Sequence, residues 1–100
     1  MKNQNRGAQN TDPFKDKEIE YPVTFELKAV MVMEENAGDN KKKLEAVFTK
    51  QKVKNQFISD KISSKSTYIS YTYGITLTSK GQMEGMYDDL KKVKGLKFAL

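Results

Sequence analysis

One hundred residues carrying 18 basic and 13 acidic side chains, a net charge of +5 and 37% hydrophobic content specify one small domain with a single core. Cys and His are both absent, which excludes thiol nucleophiles, Ser–His–Asp chemistry, disulfides, redox motifs and the usual zinc ligands. No apolar run exceeds the five residues Ala29 to Met33, too short for a transmembrane helix, and the N-terminus has no apolar signal core, so the expected location is cytoplasmic with no membrane partner.

The first twenty residues hold only Met1, Ala8, Phe14 and Ile19 as hydrophobic side chains, with four basic and four acidic groups. A segment of this kind cannot bury enough apolar area to offset its ordering entropy. Residues 1–18 are therefore expected to form a disordered or loosely attached polar tail, and 19–100 the folded domain.

From Tyr21 to Met33 the pattern alternates. Val23, Phe25, Leu27, Ala29 and Met31 fall on one face and Thr24, Glu26 and Lys28 on the other, the signature of a half-buried strand with Pro22 at its start. Turn residues follow from Glu34 to Asn40, and Asp39 or Asn40 is placed to cap a helix. That helix carries Leu44, Val47, Phe48 and Gln51 as a narrow stripe. Asn55 to Ser63 reads as a weaker strand with Ile58 and Ile62 on one face.

In the next strand, beginning at Tyr68, Ile69, Tyr71, Tyr73, Ile75 and Leu77 share a face, so two of its three tyrosines are expected in the core and only Tyr68 on the open side. Ser79 and Gln82 form a capping box for a second helix with Met83, Met86, Tyr87, Leu90 and Val93 as its stripe; Asp88 and Asp89 are expected on its solvent side and Gly95 as its C′ residue. Gly85 inside that helix suggests close packing. Leu96, Phe98 and Leu100 close the chain as one face of a last strand.

The order strand, helix, strand, strand, helix, strand implies an α+β ferredoxin-like βαββαβ sandwich, a four-stranded antiparallel sheet with two helices on one face. The chain from Tyr21 to Leu100 resembles the YbeD-like family, small bacterial proteins of unknown function with an ACT-like ferredoxin fold. The resemblance rests on Tyr21-Pro22 with Phe25 and Lys28, on Ser63-Ser64-Lys65 followed by Tyr68, on Tyr87 and Leu90, and on Val93, Leu96 and Leu100. Two positions depart from it: Ser66 and Met31 stand where glycine is expected. The resemblance implies no activity, and only by analogy with ACT domains does it imply small-molecule regulation.

Two groups of residues are candidates for ligand binding. Asn36, Gly38, Asp39 and Asn40 line the connection into the first helix, where backbone N–H groups suit a carboxylate or phosphate; Asp39 competes for the same donors, and an ordinary polar turn explains the residues equally well. Ser63, Ser64 and Lys65 offer two hydroxyls and a cation, again matched by turn chemistry. The carboxylate pairs Glu34–Glu35 and Asp88–Asp89 are adjacent in sequence and point apart, so neither catalytic residues nor a metal site are expected, and no cofactor.

The resulting expectation is a non-enzymatic regulatory or adaptor domain that binds a small anionic metabolite, a protein partner or a second copy of itself. The alternative is weak RNA binding by the open sheet face. The first and third strands present Thr24, Glu26, Lys28, Val30, Ser70, Thr72, Gly74 and Thr76 there, without a stacking ring, so specific nucleic-acid recognition is not expected.

Overall fold

The computed structural model describes residues 19–33 and 37–100. The segment 1–18 assigned to a tail, together with Glu34, Glu35 and Asn36, lies outside the described residues. The elements follow the expected order: β1 (Val23–Val32), α1 (Ala37–Lys50), β2 (Lys54–Ile62), β3 (Tyr68–Leu77), α2 (Lys80–Lys91) and β4 (Leu96–Ala99). The sheet runs β2-β3-β1-β4 with every neighbouring pair antiparallel, the ferredoxin-like arrangement.

Alternation in β1 and β3 builds the core. Leu27, Ala29, Met31, Ile69, Tyr71, Tyr73, Ile75 and Leu77 are buried on the side covered by Leu44, Val47 and Phe48 of α1 and Met83, Met86, Tyr87 and Leu90 of α2. Met31, one of the two departures from the family pattern, is fully buried, so its side chain fills core volume. Tyr73 donates from its hydroxyl to Glu45 Oε2 at 2.8 Å, and its ring meets those of Phe48 and Phe57 in T-shaped contacts with centroids at 4.9 and 5.5 Å. Burial, and then the Glu45 carboxylate, push its phenol far above the ordinary range. Tyr73 therefore stays neutral, and the stability that this protonated state contributes is lost only as pH rises above 10.

Side-chain bonds tie the start of α2 to the end of α1. Ser79 caps α2, its Oγ accepting from Gln82 N at 3.0 Å. Gln82 Oε1 accepts from Thr78 N at 2.7 Å, while its Nε2 donates to Gln51 O and Lys52 O at 3.2 and 2.9 Å, tying α2 to the end of α1. A Cβ at Gly85 would lie 2.6 Å from Gln51 Oε1, so the glycine makes room for the Gln51 side chain. Gln51 in turn donates to Asp89 Oδ2 at 2.6 Å.

Asp89 consequently does not sit on the solvent side as the sequence suggests. Its side chain is only 13% exposed, with Lys50 Nζ at 3.4 Å, whereas that of Asp88 is 67% exposed. The Gln51 hydrogen bond first, then Lys50, holds the Asp89 carboxyl below the usual carboxylate range against the opposing effect of desolvation. A depressed carboxyl stabilises the fold above its unfolded pKa, and that stabilisation is lost as pH falls through the folded value. Asp89→Asn should therefore flatten the acid limb of a melting-temperature profile measured from neutral to acidic pH.

Among the described residues, two that are not glycine adopt positive φ: Lys52 (57°) and Ser66 (57°). Lys52 closes α1 in a Schellman arrangement, with Val53 N bonding Phe48 O at 2.8 Å and Lys52 N bonding Thr49 O at 3.1 Å. Ser66 ends the β2–β3 turn, its N bonding Ser63 O at 2.9 Å. The glycine expected at position 66 thus corresponds to a left-handed backbone. Relief of about 1–2 kcal/mol of left-handed strain exceeds the roughly 0.5–1 kcal/mol of extra chain entropy that glycine loses on folding. Ser66→Gly or Lys52→Gly is expected to raise stability by about 0.5–1 kcal/mol in denaturant melts.

Four further details differ from the sequence expectation. The first helix begins at Ala37, so Asp39 is an exposed first-turn carboxylate, favourable to the helix dipole, and neither it nor Asn40 is the cap. Gly95 (φ 94°) is not the C′ residue of α2, which ends at Lys91; it sits in the turn closed by Leu96 N to Val93 O at 3.2 Å. The other two are β-bulges. In β2 the register steps from Phe57↔Tyr73 to Ser59↔Thr72, leaving Ile58 unpaired, with its Cδ1 3.7 Å from the position of a Cβ on Gly74. Ile58 therefore lies on the open face and is out of phase with Ile62, which is paired with Ile69. In β4 the register steps from Val30↔Phe98 to Met31↔Leu96, so Leu96 packs against the core while Phe98 faces the open side.

Candidate functional site

The ends of β1, β2 and α2 meet at one edge of the sandwich. Met33 N bonds Thr67 O at 2.9 Å, and Val32 N bonds Gly95 O at 2.8 Å. Asn40 Nδ2 donates to Val32 O at 3.1 Å, and Lys43 Nζ to Lys94 O at 3.4 Å. Both groups of residues selected from the sequence lie at this end, but they do not form one site.

Of the first group, Asn36 lies outside the described residues. Gly38 and Asp39 belong to the first turn of α1, and Asp39 is exposed. Asn40 is completely buried, ties α1 to the last residue of β1, and its Oδ1 has no hydrogen-bond partner among the described residues. A side chain with no exposed surface is a structural clamp rather than a ligand contact.

Of the second group, Ser63 is committed to the turn. Its Oγ accepts from Thr67 N at 3.2 Å and from Tyr68 N at 3.0 Å, the role that turn chemistry assigns to a serine. Ser64 and Lys65 are exposed at the tip, and their functional groups remain at the surface.

Beside that tip lies the feature that does gather side chains. The open face of the sheet carries Val30 and Val32 on β1, Tyr68 on β3, Ile58 at the β2 bulge, and Phe98 and Leu100 at the β4 end; Leu100 exchanges two backbone hydrogen bonds with Lys28 at 2.7 and 2.9 Å. Among the described residues, four of the five large hydrophobic side chains that remain exposed are on this face: Val32, Ile58, Phe98 and Leu100. At the hairpin end of the sheet lies an open hollow of about 360 Å³ between Val30, Ile62, Tyr68, Ser64, Ser70 and Lys61. Lys97, the bulged residue of β4, holds its ammonium 5.8 Å from the Tyr68 ring centroid, across β1. The hollow thus combines an aromatic and aliphatic floor with hydroxyls and cations at its rim.

Among the described residues no group of three or more His, Cys, Asp or Glu side chains is placed to hold a metal ion, and no helix is long and apolar enough to cross a membrane.

Residues 16–100 match the family model described as a protein of unknown function, DUF493. The chain belongs to this family. It is 36% identical over 85 residues to a UPF0250 protein of Shewanella woodyi, covering 85% of this chain and 93% of that one. A UPF0250 protein of Shewanella amazonensis is 33% identical over the same coverage. The YbeD-like resemblance carried by the Tyr21-Pro22 and Ser63-Ser64-Lys65 motifs is to these bacterial proteins of unknown function. Among solved structures, the solution structure of protein HP0495 from H. pylori superposes with a TM-score of 0.61 over 95% of this chain and 98% of that one at 13% identity, a likeness of fold.

Proposed function

We propose that this family member is a non-enzymatic regulatory or adaptor domain whose working surface is the uncovered sheet face at the β2–β3 hairpin end. The observation that carries this reading is the set of exposed apolar side chains, Val32, Ile58, Phe98 and Leu100, spread over the sheet face opposite the two helices. Isolated exposed hydrophobics need no explanation, but a set confined to one face marks a binding surface. The rim is basic, through Lys28, Lys61 and Lys97, with Glu26 as the nearest acid along β1, so a small anionic metabolite suits it best. A protein partner or a second copy of the chain would use the same apolar face. The domain works in the cytoplasm and responds to its ligand without transforming it.

A melting screen against anionic metabolites tests this, because a ligand that binds only the folded state raises the melting temperature. A stabilising metabolite is expected to lose its effect in Phe98→Ser and to be recovered chemically unchanged. Retention of the effect in Phe98→Ser, with loss in Asp39→Lys, would instead place the site at the start of α1. Turnover of the metabolite would overturn the non-enzymatic reading.

A second reading, single-stranded nucleic-acid binding, gains one specific observation: Phe98 joins Tyr68 on the open face. Phe98 stands opposite Val30 and Tyr68 opposite Val32, so the two rings are separated by the width of β1, about 10 Å between their strands. Two rings on non-adjacent strands with Glu26 on the strand between them make a poor platform for successive bases. RNA affinity is therefore expected to be weak, indifferent to sequence and abolished by a few hundred millimolar salt in an anisotropy titration. Submicromolar, salt-resistant binding to one sequence, destroyed by Tyr68→Ala, would establish this reading over the first.

A further inference from the structure

We infer that the hollow beside the β2–β3 turn is a binding site for a small organic anion with an aromatic body, with the ring lying on Tyr68 and Val30 and the anionic group held between the Lys61 and Lys97 ammonium groups. The inference rests on the uncovered sheet face being the working surface and adds the class of ligand.

Three observations converge on it. The first is shape: the hollow is of about 360 Å³, within the lower range for small-molecule sites, and is bounded by the ends of β1, β2 and β3 rather than by a single loop. The second is the floor. Val30 and Tyr68 are half-buried, so each is anchored in the sheet and still presents a surface. An aromatic body covering them removes apolar area from water and stacks on the Tyr68 ring. The third is charge. Lys61 lines the hollow from β2, while Lys97 reaches over β1 to within 5.8 Å of the Tyr68 centroid, so the hollow has a lysine on either flank. Ser63 Oγ is already occupied by two backbone donors and Ser70 Oγ lies 3.4 Å from Lys61 O, so the charge recognition falls to the lysines. A cationic ligand with the same body would meet two like charges, and an inorganic anion would leave the apolar floor in water.

The β4 bulge is what makes this possible. With regular alternation through Leu96, Phe98 and Leu100, all three side chains would share one face; the step at Lys97 instead sends Leu96 to the core and brings Phe98 beside the hollow.

Titration of ¹⁵N-labelled protein with 4-phenylbutyrate, 4-phenylbutylamine and acetate tests the assignment. Phenylbutyrate is expected to shift the amides of residues 61–70 and Val30, and the amine and acetate to leave them unmoved. Lys61→Glu and Lys97→Glu should each weaken phenylbutyrate binding about fivefold, the scale of an exposed charge contact, with amide spectra otherwise those of the folded parent. Tyr68→Leu, which keeps apolar area but removes the ring, should weaken it by a similar factor. Equal binding of the amine, or unchanged affinity in both lysine variants, would overturn the ligand class while leaving the working surface in place. Shifts confined to the helix layer, or none at about 10 mM phenylbutyrate, well above the millimolar affinity expected of a ligand this small, would overturn the site itself.

Discussion

Tyr73→Ala is expected to lower the stability of the domain by about 3–5 kcal/mol, as other large-to-small aromatic changes in cores do. Tyr73 has no exposed surface, its ring makes T-shaped contacts with those of Phe48 and Phe57, and its hydroxyl donates to Glu45. Truncation opens a cavity between sheet and helix and strips Glu45 of a hydrogen bond. Against a total of about 5–15 kcal/mol for a native domain, the loss would leave much of the population unfolded at moderate denaturant. Tyr71, only 2% exposed on the same face, should behave alike, whereas Tyr68→Ala should cost less than about 1 kcal/mol because that ring is half-buried on the open side. Urea melts of the three variants give the ranking. A Tyr68 variant less stable than the Tyr73 variant would mean that the strand faces are inverted.

The second large effect is expected at Asn40. Asn40→Asp preserves shape but puts a carboxylate at a site with no solvent exposure, against the Val32 carbonyl that the amide now donates to. The start of α1 favours negative charge by roughly 0.3–2 kcal/mol, but an uncompensated buried charge costs about 3–5 kcal/mol, so burial wins. The new carboxyl would titrate above the ordinary carboxylate range, since burial disfavours its charged form. A raised folded-state pKa stabilises below the unfolded value and loses that stabilisation as pH rises, so the deficit should be smallest near pH 3–4 and grow toward neutrality. Melts of parent and variant across that range check both sign and size. A deficit independent of pH would show that the lost Val32 bond, rather than the charge, accounts for the destabilisation.

The contrast between these positions and the hollow shows what sequence periodicity reveals. Strands β1 and β3 pair without interruption over ten residues, so period-two alternation assigns Tyr71 and Tyr73 to the core and Tyr68 to the open face. The Ser79–Gln82 cap is equally local and equally legible. A bulge is not, because it inserts one residue without altering composition, and every side chain beyond it changes face. Ile58, Phe98 and Leu100 are hidden for that reason, three of the four exposed side chains of the apolar patch. Asn40 illustrates a different limit: its sequence context suits a cap, but the tertiary bond to Val32 O draws it into the interior. The Ser66 position shows the reverse, where a missing glycine in the turn pattern points directly to a left-handed backbone.

The most direct test of the uncovered face as the working surface is amide shift mapping with a mixed set of amino acids, organic acids and nucleotides. Perturbations are expected along residues 61–70 and at Val30, Val32 and Phe98, where the hollow and its apolar border lie. Perturbations confined to Gly38–Lys43 at the start of α1, with the open face silent, would contradict it.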